Sequence, residues 1–155
     1  MPSELTPSSA AAQLSLASAT GRVPGAITDM HGLEALANVA RSQGFYLRAA
    51  DLYHEAAREA FSVEERLHLT MREAHCRLQV DDRAAAEQLA SEVAKEARTE
   101  ECYAELADAL GLQVEMHMLR NEYAEANEKL AEAMYVLLRV PNDPAYYHVI
   151  HNMAV

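Results

Sequence analysis

Apolar side chains recur along this chain at the three- and four-residue intervals that place them on one face of an α-helix. Two such faces lie within residues 29–61, formed first by Leu33, Leu36, Ala37 and Ala40 and then by Ala49, Tyr53, Ala56 and Ala57. Gly and Pro supply only five residues each, whereas a mainly β protein needs many more turn residues. The pattern therefore predicts an all-α protein built from amphipathic helices.

Capping and turn residues divide the chain from residue 29 onward into seven predicted helices. Ser62 and Glu65 have the spacing of a capping box, and Thr99 precedes two glutamates that suit the first turn of a helix. Further start signals are Asp29 and Asp143, and turn signals are Gly44, Asp81 and Asn121. The predicted helices span about 29–42, 45–60, 62–79, 83–98, 100–120, 123–139 and 144–155.

The turns between these helices are only a few residues long, so neighbouring helices are expected to lie antiparallel as hairpins. Residues 1–28 differ from the rest because they are rich in Ser, Thr, Pro and Gly and gain little by burial. This N-terminal segment is predicted to be flexible or loosely docked, apart from a short helix at about 10–19.

One hairpin pattern occurs twice in the chain with identical spacing. Tyr46, Ala49, Tyr53 and Ala56 follow Gly44, and Tyr123, Ala126, Leu130 and Ala133 follow Asn121. The large and small residues typical of a first helix occur at Leu33-x-x-Leu36-Ala37 and at Ile150-x-x-Met153-Ala154. On these residues the chain resembles the tetratricopeptide repeat (TPR) family, in which a small residue lets the two helices of a hairpin approach closely.

The resemblance implies a right-handed superhelical array of antiparallel helix hairpins, a TPR-like α-solenoid of about seven helices. Its units would be residues 29–61, 62–98 and 99–140, with a half unit at 144–155. The middle unit matches less well. Its second-helix positions are occupied by Ala86, Ala90 and Val93. The bulky residue of the pattern is missing, because Leu89 lies one residue before its position.

The resemblance further implies a concave groove that is lined by the first helix of each hairpin and takes a peptide. Carried over by spacing, the groove-facing side chains are His31, Glu34, Asn38, Arg41, His68, Arg72, His75, Gln79, Asp108, Glu115, His148, His151 and Asn152. Two interpretations stay open. These polar residues merely fill a solvated groove, or they form a His-rich site whose affinity for a polar peptide changes between about pH 5 and 8.

The predicted half unit ends the chain with an uncovered apolar helix, whereas a terminal repeat normally has a polar outer face. One explanation is that the chain is an N-terminal piece of a longer protein, cut inside an array. The alternative is a homodimer, in which a second copy covers the helix around Tyr147, Ile150 and Met153.

The formal net charge of −11 results from 24 acidic and 13 basic residues. Because a polyanionic partner needs a cationic surface, nucleic acid and anionic membrane are not expected as partners. No apolar run is long enough to cross a membrane, and the N-terminus lacks the features of a signal or transit peptide. Cys76 and Cys102 are predicted to be ordinary buried thiols, and the expected location is cytoplasmic.

The sequence contains no recognisable catalytic or metal-binding motif, so neither enzyme activity nor a cofactor is expected. Glu65-x-x-His68 places two ligand types on one helix face, but a di-iron site needs a second such motif, and Asp51-x-x-His54 is the nearest approach. A salt-bridged surface pair is the preferred interpretation of Glu65 and His68. The two histidines of the half unit lack a third zinc ligand nearby in sequence.

The sequence therefore predicts a non-catalytic module that binds a protein or peptide. By family analogy, such an array is expected to be the regulatory region of a larger bacterial signalling or regulatory protein. The alternative is a sensor that binds a small peptide or metabolite in the His-rich groove.

Overall fold

The computed structural model describes residues 29–140, which form six α-helices and no β-strand. The helices are α1 (Met30–Ser42), α2 (Tyr46–Arg58), α3 (Val63–Gln79), α4 (Arg83–Glu100), α5 (Tyr103–Leu119) and α6 (Tyr123–Leu137). Each helix packs against the next along the chain, and α3 also contacts α5. The all-α prediction and six of the seven predicted helices are thereby confirmed. The helix at about 10–19, the seventh helix and the dimer contact fall outside the described residues.

The connections after α1, α3, α4 and α5 share one backbone geometry. Each contains a residue in the left-handed conformation, with a φ between 59° and 83°: Gly44, Asp81, Glu101 and Asn121. The N–H of the following residue donates to the carbonyl five residues earlier, with an N···O distance of 2.9 Å in all four connections. This pattern satisfies carbonyl groups that the end of a helix leaves without partners. Three of these connections lie within the hairpins, at Gly44, Asp81 and Asn121, so the hairpins are similar in backbone geometry as well as in sequence. The connection at Glu101 joins the second hairpin to the third.

Side-chain caps begin two of the helices where the sequence predicted them. The carboxylate of Asp29 accepts from Gly32 N–H at 2.8 Å, and the hydroxyl of Ser62 accepts from Glu65 N–H at 3.1 Å. The predicted capping box is only half formed, because the Glu65 carboxylate accepts from Phe61 N–H at 3.4 Å. A cap satisfies an orphan N–H group of the first turn, which fixes where the helix starts.

The predicted start of the fifth helix at Thr99 is wrong. The Thr99 hydroxyl donates to the carbonyl of Lys95 inside α4, which continues to Glu100. The chain then turns at Glu101, which adopts the left-handed φ of 59°, and α5 begins at Tyr103. A Thr hydroxyl can bond either to the next turn as a cap or back to the preceding turn, and here it bonds backwards.

Small residues occupy equivalent buried positions in the three second helices. Ala49 of α2, Ala86 of α4 and Ala126 of α6 each follow the N-cap residue by four positions and are at most 2% exposed. Each of these alanines donates its backbone N–H to the N-cap carbonyl, with N···O distances of 2.9 to 3.1 Å. The middle hairpin therefore has the same register as the other two, although its sequence match is weaker.

Two hydrophobic clusters meet at α3. Leu69 and Cys76 pack with α1 and α2, whereas Leu67, Met71 and Ala74 pack with α4, α5 and α6. Because α3 contributes residues to both clusters, the buried apolar core continues from the first hairpin into the second. This arrangement is compatible with a helical repeat, in which stacked neighbours bury a continuous core.

Candidate functional site

The groove prediction can be followed on α1, α3 and α5, the first helices of the three hairpins. We call the surface formed by Asn38 and Arg41 of α1, Arg72 and His75 of α3, and Asp108 and Glu115 of α5 the first-helix face. All six residues are exposed or half-buried.

His75 and Asp108 join α3 to α5. His75 Nε2 lies 2.8 Å from Asp108 Oδ1, and the two side chains are 43% and 39% exposed. Their positions differ by 33 residues. On the second helices, Arg98 of α4 pairs with Glu132 of α6, at a separation of 34 residues and an N···O distance of 2.6 Å. Equivalent helices of successive hairpins are thus linked at nearly equal intervals.

The environment of His75 favours its charged form. Burial lowers the pKa of His75, but the hydrogen bond and the charge of Asp108 raise it, and the charge of Glu115 adds to this rise. Arg72 on the same helix opposes them, and the net pKa lies above the usual value for histidine. Protonation of His75 therefore strengthens a contact between two hairpins.

A tyrosine connects the α1 and α3 parts of the first-helix face. Tyr53 of α2 is fully buried, and its hydroxyl donates to Asn38 Oδ1 on α1. Burial raises the pKa of the Tyr53 hydroxyl, and the charges of Arg41 and Arg72 oppose that rise. Both guanidinium groups therefore act on one point, where α2 inserts a side chain between α1 and α3.

The charges of Arg41 and Arg72 also affect the thiol of Cys76. Burial raises the pKa of the Cys76 thiol, whereas Arg41, Arg72 and Arg77 each oppose the rise more strongly than Glu73 supports it. The prediction of a buried thiol is confirmed for Cys76, but it is wrong for Cys102, which is partly exposed at the N-cap of α5. Burial also raises the pKa of Cys102, and nearby glutamates add to the rise. Raised pKa values keep both thiols protonated and weakly nucleophilic at neutral pH.

The remaining residues predicted to line the groove take less part in these contacts. The charge of Glu34 raises the pKa of the Tyr53 hydroxyl, but by less than Arg41 or Arg72 lowers it. His31, His68 and Gln79 are exposed on α1 and α3, outside these contacts. The candidates His148, His151 and Asn152 fall outside the described residues.

A second polar cluster, which the sequence did not predict, lies between α2 and α3. Glu73 is only 5% exposed and pairs with His54 at 3.1 Å and with Arg77 at 3.6 Å. Arg77 also pairs with Asp51 at 3.1 Å. A buried carboxylate needs such partners because its desolvation is costly. The signals in the sequence were the i, i+4 spacing of Glu73 and Arg77 and the Asp51-x-x-His54 spacing on α2.

Neither a metal-binding group nor a membrane-spanning helix is found in the part of the chain that the structure describes. Among residues 29–140, no three or more His, Cys, Asp and Glu side chains are grouped so that they could hold a metal ion. No helix in this range is long and apolar enough to cross a bilayer. The predicted Glu65–His68 pair is replaced by the contact of Glu65 with Phe61 N–H.

Comparison with known proteins adds no relative. No protein-family model matches the chain, and neither a curated protein nor a solved structure matches it.

Proposed function

We propose that this chain is a TPR-like module that binds a peptide or an extended protein segment on its first-helix face. The observation that carries this proposal is the contact between His75 and Asp108, which brings residues predicted for one groove together from two hairpins. Tyr53 donates to Asn38 on α1 and packs in the same cluster as Cys76 on α3, so one side chain of α2 joins the α1 and α3 parts of the face. A face shared by successive hairpins suits a ligand that extends along the array.

The repeated geometry supports the finer fold assignment. The equivalent connections within the three hairpins, at Gly44, Asp81 and Asn121, and the three equivalent alanines support a repeat of one helix hairpin. We infer from them a superhelix, since helix hairpins stacked in one register accumulate a constant rotation, and its right-handed sense is what the resemblance to the TPR family implies. The regulatory context, the cytoplasmic location and the alternative of a metabolite sensor stay predictions.

The proposal is tested by comparing charge reversals on the two sides of the array. Peptides are first selected from a displayed random library on the folded 155-residue chain. Their affinities are then measured for Asp108→Lys on the first-helix face and for Glu92→Lys on α4. Glu92 is exposed and belongs to a second helix, so its substitution changes the net charge equally while leaving the face intact.

We expect Asp108→Lys to change the dissociation constant at least about fivefold and Glu92→Lys to leave it within about twofold, because reversal of a contacting charge acts at short range. Circular dichroism melting curves establish that both variants fold. Peptides that respond to Glu92→Lys and not to Asp108→Lys would contradict the proposal.

A further inference from the structure

One arginine of the third hairpin is held by two tyrosines and not by a carboxylate. The guanidinium carbon of Arg139 lies over both rings, 5.4 Å from the centroid of Tyr103 and 5.3 Å from that of Tyr135. Within residues 29–140, no carboxylate lies within 4.0 Å of Arg139. Both centroid distances are inside the range of about 6 Å in which an aromatic ring attracts a cation. The two rings therefore form a site for a cation.

The hydroxyl groups of the two tyrosines fit the shape of a guanidinium group. Arg139 Nη1 donates to the Tyr103 hydroxyl at 3.0 Å, and Arg139 Nη2 donates to the Tyr135 hydroxyl at 3.1 Å. Two nitrogens of one planar group are thus bound at the same time. A lysine ammonium is a compact point charge and does not present its donors in a planar fork. The arrangement therefore favours a guanidinium group over an ammonium group.

The cation is held less firmly than the two helices that carry the rings. Tyr103 is the first residue of α5 and packs partly against the core, and Tyr135 belongs to α6. Arg139 lies two residues after Leu137, the last residue of α6, and is exposed. Exposed side chains change rotamer within nanoseconds, and cation–π contacts at exposed sites are weak. Rotation of the Arg139 side chain is therefore enough to open the rings to a cation of another molecule.

The surroundings of the rings are acidic on one side and apolar on the other. Glu100 and Glu101 lie just before α5, are exposed and form no ion pair with any other residue in the range 29–140. Their charges attract a cation. On α6, Met134 and Leu138 flank Tyr135 and are 44% and 77% exposed. Apolar side chains beside an incoming cation would bury surface against these two residues.

We propose that Tyr103 and Tyr135 form a cleft that binds an arginine side chain of a partner segment, in which apolar residues flank the arginine. Arg139 fills this cleft in the free chain. The partner's guanidinium group replaces that of Arg139, stacks on the rings and donates to both hydroxyls. Arg139 is a tethered competitor, because a group on a short connection has an effective concentration of about 1 mM. None of these three residues belongs to the first-helix face, so the cleft is an additional site.

The test is an NMR titration of the full 155-residue chain with capped tripeptides. The main probe is Leu-Arg-Leu, and in two controls citrulline or lysine replaces its arginine. We expect the citrulline peptide to bind at least about fivefold more weakly, since it loses the attraction of two rings, and the lysine peptide to bind more weakly than the arginine peptide. Equal binding of the arginine and citrulline peptides would overturn the proposal. A fourth peptide, Gly-Arg-Gly, distinguishes the source of the guanidinium group: binding as tight as that of Leu-Arg-Leu would overturn the apolar partner segment.

Variants of the chain locate the cleft. Arg139→Gln removes the competitor and should tighten Leu-Arg-Leu binding at least about threefold. In that background, Tyr135→Leu removes one ring and Tyr103→Phe removes one hydroxyl, and each should weaken binding at least about twofold. The matched control is Tyr123→Leu. Tyr123 is also the first residue of a helix and is 55% exposed, but its hydroxyl donates to Asn121 at the other end of the hairpin.

Two results would show that the tyrosine pair is not the site. Equal affinity of the wild type and Arg139→Gln would show that Arg139 does not compete, and an equal loss in Tyr123→Leu and Tyr135→Leu would show only general attraction to an acidic chain. Circular dichroism melting curves establish that the variants fold, and Tyr135→Leu changes an exposed side chain. Because the cleft and the first-helix face share no residue, either proposal can fail while the other stands.

Discussion

Replacement of Ala133 by leucine tests the idea that the hairpins depend on small residues. Ala133 is fully buried in α6 and belongs to the core cluster that also contains Leu106 and Leu110 of α5. A leucine at this position must place an isopropyl group where α5 and α6 are in contact. Close-packed interiors contain few voids that could accept such a group without movement of the backbone.

The expected loss of stability follows from the cost of overpacking. Extra carbon atoms in a well-packed core typically cost about 1–3 kcal/mol. For a chain of about this length, 1 kcal/mol lowers the melting temperature by about 2–4 °C, so the expected decrease is about 2–12 °C. The helix propensities of Ala and Leu are close, and the propensity term contributes little.

The control is Ala131→Leu in the same helix. Ala131 is exposed, so its replacement carries the same change in helix propensity without the steric cost, and its effect should stay within about 0.5 kcal/mol. Both variants are unfolded in urea and by heat, with circular dichroism at the helical band as the signal. If Ala133→Leu is as stable as Ala131→Leu, the helices do not require a small residue there, and the argument from the repeated alanines is refuted.

Three further predictions concern packing, a hydrogen bond and pH. Leu110→Ala should lower the free energy of unfolding by about 2–5 kcal/mol in urea titrations, since Leu110 is fully buried; a loss below about 1 kcal/mol would refute its core role. Tyr53→Phe removes the bond to Asn38 and should cost about 0.5–1.5 kcal/mol, whereas an unchanged midpoint would show that the bond is not stabilising. Because the folded pKa of His75 is raised, its extra stabilisation is fully present below its unfolded pKa of about 6.5 and is lost as the pH rises through the folded pKa. The difference in melting temperature between the wild type and Asp108→Asn should therefore be larger at about pH 5.5 than at about pH 8.5, and an equal difference at both values would contradict the assignment.

Helix existence could be predicted from the sequence because several local signals agree. The apolar period, the caps at Asp29 and Ser62 and the turn at Gly44 all indicate the same boundaries, and the structure confirms them. The α4–α5 boundary was mispredicted because Thr99 and Glu101 behave against their usual preferences. A left-handed glutamate is uncommon, so the sequence did not indicate the turn at Glu101.

The candidate site was predictable only in part. Periodicity identifies which residues share a helix face, so Asn38, Arg72 and His75 could be selected from their spacing. The distance between two helices depends on tertiary packing, and therefore the bond from His75 to Asp108 could not be derived from spacing alone. The role of Tyr53 was missed because its position in the repeat indicates packing and does not show that its hydroxyl donates to Asn38 on α1.

Paramagnetic broadening by a spin-labelled peptide would show directly whether the ligand lies along the first helices. A peptide selected on the folded chain carries a nitroxide label, and the loss of backbone amide signals is recorded along residues 29–140. Our account predicts broadening on α1, α3 and α5 and intact signals on the exposed faces of α2, α4 and α6, because the ligand lies along the first helices. Broadening confined to the second helices would contradict it.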